Sequence, residues 1–169
     1  MNRATNVRSI AVYLLFGLIM STAATMAQAP AAPAAPATPA APQALTYEMA
    51  LQVIDAAEAE ARKNKWNVTI VVTDATGVPV VLRRLTGASA RSYDIATRKA
   101  ATVVATKLTT AVYGEQLKTG SVKEVPNGIT FAGGVPIMRG TEFIGAVGTS
   151  GVRANEDEII SKAGASVIK

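Results

Sequence analysis

The chain contains no cysteine and no histidine. The first absence excludes disulfides, thiol chemistry and lipid attachment at an N-terminal cysteine. The second excludes Ser-His-Asp and Cys-His catalysis and, with the first, the common zinc sites and histidine-ligated haem. Phosphate-loop signatures are missing too: no G-x-x-x-x-G-K-[ST] occurs, and no G-x-G-x-x-G follows a strand. Excess charge is small too: 17 basic residues face 12 acidic ones for a net +5, and without Arg3 and Arg8 of the N-terminal segment the balance is 15 − 12 = +3, too mild to argue for a nucleic-acid partner.

What is present begins with a leader. Met1 to Ser9 carries Arg3 and Arg8 and no acid, Ile10 to Met20 is uninterrupted and apolar, and Ser21 to Ala29 is small and Ala-rich. This is the order of a secretory signal peptide. An uncleaved anchor is the competing reading, because Ile10 to Ala29 approaches the roughly 20 residues that span a bilayer, but the strongly apolar core has signal length. Cleavage after Ala27 avoids leaving Pro30 as the first mature residue. Residues 1–27 are therefore read as a signal peptide, with a periplasmic or secreted product and no membrane span after cleavage.

Residues 28–44 contain Pro30, Pro33, Pro36, Pro39 and Pro42 among alanines, with neither charge nor bulky side chain. Such a segment cannot build a core, and it is expected to be a disordered, polyproline-like tether. The remainder, residues 45–169, is long enough for one domain that buries about two thirds of its unfolded surface.

Within it, Thr46 is a suitable N-cap for a helix to about Asn64, with Ala50, Val53, Ile54, Ala57 and Ala61 on one stripe. Val68 to Thr73 and Val78 to Arg84 are β-branched runs joined by Asp74-Ala75-Thr76-Gly77, a hairpin. A second helix is expected from Ser89 to Lys107 and a short one from Thr110 to Lys118. Ile129 to Phe131, Val135 to Arg139 and Glu142 to Thr149 read as strands. Asn155 with Glu158 suggests a capping box for a last helix through Ile168. Hairpins rather than alternating βαβ units indicate an α+β domain, an antiparallel sheet of about five strands, with helices on one side and room for another subunit.

Two glycine-rich segments stand out, Phe131-Ala132-Gly133-Gly134 and Gly145 to Gly151. The second falls between a strand and a helix. Backbone amides of Gly148 to Gly151, with the hydroxyls of Thr149 and Ser150, would suit a carboxylate or phosphate. The competing reading is that these glycines permit turns and close packing. Lys99 lies mid-helix beside Ala96 and Ala100, so it either snorkels to solvent or reaches an anionic ligand over the sheet. Glu156, Asp157 and Glu158 are read as acids complementing a helix dipole rather than a metal site.

The segments Leu45-Thr46-Tyr47-Glu48-Met49-Ala50-Leu51, VVTDATGVPVVLRR, Ser92-Tyr93-Asp94-Ile95-Ala96-Thr97-Arg98-Lys99-Ala100, FAGGVPI and GAVGTSGVRANEDEIISKAG, in this order, resemble the GlcG/HbpS-like family of haem-binding and haem-degrading proteins. The resemblance implies a profilin-like fold, homo-oligomers, and haem or a related tetrapyrrole as ligand. It departs at one point: several relatives carry an iron-ligating histidine near the position of Ala50 and Leu51. Without it, haem iron would turn to Tyr47, Tyr93, Tyr113, Met49 or Met138, or the macrocycle would be held by packing, with Arg or Lys on its propionates. The expected function is an exported oligomeric binding protein for haem, a related tetrapyrrole or an anionic ligand, contacted by Lys99, Phe131, Gly133, Gly134, Gly148, Thr149, Ser150 and Gly151. The alternatives are an enzyme of oxidative haem breakdown or of a small organic acid, and a structural or sensory partner of another exported protein.

Overall fold

The computed structural model describes residues 44–169. The expected leader and all of the tether but Ala44 lie outside the described residues. Thr46 begins helix α1 (Tyr47–Lys63) by accepting the Met49 N–H on its side chain, and the expected stripe of Ala50, Val53, Ile54, Ala57 and Ala61 is the buried face. Strands β1 (Thr69–Asp74) and β2 (Pro79–Arg84) then form the hairpin. Asp74 organises its turn, accepting hydrogen bonds from the amides of Thr76 at 2.8 Å and Val78 at 3.1 Å. Helices α2 (Ala90–Thr106) and α3 (Thr110–Lys118) follow, then β3 (Gly134–Arg139), β4 (Glu142–Ser150) and α4 (Ala154–Ala165).

The four strands form one antiparallel sheet in the order β2-β1-β4-β3. The fifth expected strand does not form. Ile129 gives its N–H to the Thr102 hydroxyl of α2 at 2.9 Å, and Gly134 gives its own to Thr110 of α3 at 3.0 Å. A helix threonine thus takes the first amide of the expected strand Ile129 to Phe131, while Gly134, at the start of β3, is tied to α3. The last helix also differs: it starts after Arg153, whose amide donates to Glu156 at 3.0 Å, and ends at Ala165.

Helices cover both faces of the sheet rather than one. Alternation sends Ile70 and Val72 of β1 and Val147 of β4 into a core with α1 and α4. Ala146 of β4 meets Ala100 and Val103 of α2 on the other side. β1 is consequently buried on both faces, which explains why Val68 to Thr73 reads as a β-branched run with little polar alternation. Of its two buried threonines, Thr69 shares a hydrogen bond with Ser92 Oγ at 2.7 Å, whereas the Thr73 hydroxyl finds no partner among the described residues. Thr73→Val keeps the shape and removes the unsatisfied group, so it is expected to stabilise the domain by about 1 kcal/mol, read as a higher urea midpoint at unchanged m value.

Candidate functional site

Lys99 sits on the buried stripe of α2 with Ser92, Ala96, Ala100 and Val103. Asp157 sits on the matching stripe of α4 with Ile160, Ser161 and Gly164. The two helices lie on opposite faces of the sheet, and their polar side chains meet beside Gly133, just before β3 begins. The Lys99 ammonium donates to Asp157 Oδ2 at 2.7 Å and to the Thr149 carbonyl at 2.8 Å. Asp157 Oδ1 accepts from the Val152 amide at 3.2 Å. Ser161 Oγ completes the cluster, bonded to Gly133 O and Thr149 Oγ1, each at 2.8 Å.

Gly133 is what lets the two faces connect. Its φ of +121° lies where side chains are strained, and a Cβ there would collide with Lys99 Nζ and stand 2.8 Å from both Asp157 Cβ and Thr149 O. Burial is the leading influence on both charged groups. It lowers the Lys99 pKa and raises that of Asp157, although each is opposed by attraction to the other.

Several sequence expectations change here. Lys99 does not snorkel to solvent; it is fully buried, with its ammonium on Asp157 and the Thr149 carbonyl. Gly148, Thr149 and Ser150 lie in β4, and the following helix starts later, after Arg153. Gly148 pairs with Val71 on one side and Gly134 on the other, and Thr149 donates its N–H to Gly133 O at 2.8 Å. Ser150 ends β4 opposite Thr69, and Gly151 is an exposed turn residue in which a Cβ would overlap the Asn67 carbonyl. Close packing is therefore what Gly134, Gly148 and Gly151 supply. The three consecutive acids diverge: Glu156 caps Arg153, Asp157 turns inward to Lys99, and Glu158 pairs with Lys162 at 3.3 Å.

The accessible part of the site is a groove of about 450 Å³ along α3, lined by Ala111, Val112, Glu115, Gln116 and the segment Thr130 to Ala132. Gly114 lets that segment lie against the helix, because a Cβ there would overlap the Thr130 carbonyl. Val112 and Phe131 stand 43% and 45% exposed on its walls. Phe131 lines the groove and is also near the buried cluster, with Lys99 Nζ 5.0 Å from its ring centroid. Of the expected site residues, Lys99, Phe131, Gly133 and Thr149 come together here. Asp157, Ser161 and Val112 were not anticipated, although the spacing of Asp157, Ile160, Ser161 and Gly164 marks one helix face.

Comparison with known proteins places these features. A family model described as haem-degrading protein HbpS-like matches residues 45–166. The chain belongs to the HbpS-like family. Among relatives, this HbpS-like chain is 34% identical over 108 residues to the protein GlcG of Escherichia coli K12, covering 63% of this chain and 81% of GlcG. A crystal structure of an HbpS double mutant from Streptomyces reticuli superposes with a TM-score of 0.69 at 32% identity, covering 83% of this chain and 99% of that one. A structure of a PduOC–haem complex also gives 0.69, at 27% identity over 75% of this chain and 96% of that one.

The groove of the HbpS-like domain fits the flat apolar face of a tetrapyrrole through Val112, Phe131 and the two alanines. Its lining holds none of the expected tyrosine or methionine ligands, and Glu115 is its one ionisable group. Elsewhere, Tyr113 is fully buried with its hydroxyl accepting from the Val125 amide at 2.8 Å, and Met49 Sδ accepts from Arg139. Tyr47 and Tyr93 are exposed outside the groove lining, and Met138 is half-buried on β3. The apolar lining fits the macrocycle, while the tyrosines and methionines expected as iron ligands lie outside the lining of this groove.

Proposed function

We propose that this is an exported, oligomeric binding protein for haem or a related tetrapyrrole, which it holds by packing in the groove between α3 and the Thr130 to Ala132 segment. The groove carries the reading: at about 450 Å³ it is of small-ligand size, with Val112 and Phe131 exposed on apolar walls. Membership in a family described as haem-degrading, and a structural neighbour solved with haem, support the ligand. The charge and hydropathy order of residues 1–27 supports export. Exposed Val78 and Leu82 at the β2 edge support assembly with further copies of the chain.

Haemin added to micromolar purified protein is expected to shift its Soret band. Phe131→Ala and Val112→Glu are each expected to weaken binding roughly tenfold, about 1.4 kcal/mol. An unshifted spectrum overturns the reading. Persistence of the band under ascorbate and oxygen identifies carriage, whereas its loss with release of iron identifies breakdown.

A further inference from the structure

Phe131, which lines the groove, also packs near a group that tetrapyrrole packing does not use. Lys99 is the only buried lysine among the described residues. Two of its N–H groups are spent on Thr149 O and Asp157, and its charge lies near the ring of Phe131. One half-exposed side chain therefore both lines the groove and lies within 5.0 Å of the amine. That side chain belongs to an irregular segment followed by Gly133 and Gly134, so its position is set by packing rather than by a strand ladder. Stability does not account for the pair, because apolar residues of similar volume commonly fill such a space at least as well.

We propose that Lys99 is the nucleophile of an enclosed site, condensing with a small aldehyde or ketone that enters from the groove when Phe131 turns aside. Asp157 Oδ2, 2.7 Å from Nζ, accepts a proton from the ammonium. The freed lone pair forms a C–N bond to the carbonyl carbon, and Asp157 returns its proton to the carbonyl oxygen. Asp157 next takes a proton from the nitrogen of this carbinolamine and passes it to the hydroxyl, which leaves as water. An ammonium and a carbonyl compound thus become a protonated imine and water, with the carboxylate regenerated and no oxidant or reductant required. Burial favours the exchange, since it draws amine and acid together toward their neutral forms. The carbonyl compound must be small because it occupies only the space the ring vacates.

The reaction rests on the groove and not on haem, so haemin titration and carbonyl trapping can fail separately. Acetaldehyde and pyruvate are used as probes with the full chain and sodium cyanoborohydride, and adducts are located by intact mass and peptide mapping. Lys99 is expected to be alkylated at least tenfold faster than exposed lysines such as Lys63 and Lys118, and Phe131→Ala to accelerate it several-fold further. Lys99→Arg is expected to lose the fast adduct and leave the slow ones. Adducts confined to exposed lysines overturn the proposal, and so does reaction of Lys99 seen only in Phe131→Ala, because the native ring then never admits the probe.

Discussion

Asp157→Ala is expected to destabilise the domain by about 3–5 kcal/mol, the usual cost of leaving a buried charge without its partner. The Lys99 side chain is fully buried and Asp157 is 2% exposed, so water cannot replace the missing carboxylate without opening the packing around Gly133. The Thr149 carbonyl would remain as an acceptor, but a neutral carbonyl does not offset a full positive charge. The double variant Lys99→Met, Asp157→Leu is expected to recover most of the loss, since neither residue then brings a charge into the interior. Urea unfolding of the two single variants and the double variant measures the coupling directly. A loss below about 1 kcal/mol in Asp157→Ala would mean that the ammonium reaches solvent, contrary to the burial described.

Gly148→Ala is the second large effect, at about 3 kcal/mol of destabilisation. A Cβ at this position would overlap the carbonyl oxygen of Ala96 and stand 2.8 Å from the Ala100 amide. Both obstacles are backbone, and no rotamer change relieves them. Gly148 is also held on each side by sheet pairing to Val71 and Gly134, so the strand cannot retreat from α2. Relief requires lifting α2 from the sheet, which opens the contact of Ala100 and Val103 with Ala146. A lower urea midpoint with a normal m value checks this; an unchanged midpoint would show that α2 rides farther from β4 than described.

Local structure was largely legible in residue order. The apolar stripe of α1, its Thr46 cap and the Asp74 turn follow from rules that act within a few residues. The misread elements depend on distant partners. Ile129 to Phe131 is β-prone, yet its first amide goes to Thr102, 27 positions away. Asn155 and Glu158 offer a plausible capping box, but the helix starts earlier, where Glu156 bonds the Arg153 amide and Asp157 bonds that of Val152. At the site, Phe131 and the Lys99 region stood out, while the meaning of each was hidden. A lysine between alanines on a helix can reach solvent or a ligand, and only the approach of α4 across the sheet supplies Asp157 as a third choice.

The sequence by itself determined that these 169 residues bring neither thiol nor imidazole to any chemistry, since no fold can create a residue that is absent. It also determined the leader-like order of charge and hydropathy in residues 1–27 and the positions of the helices and four of the strands, because these are set by composition and short-range periodicity. The tertiary structure alone decided that helices cover both faces of the sheet, that the glycines near β3 and β4 serve close packing, and that Lys99 is buried against Asp157. Those outcomes depend on contacts between residues dozens of positions apart, and such contacts carry no periodic signal along the chain.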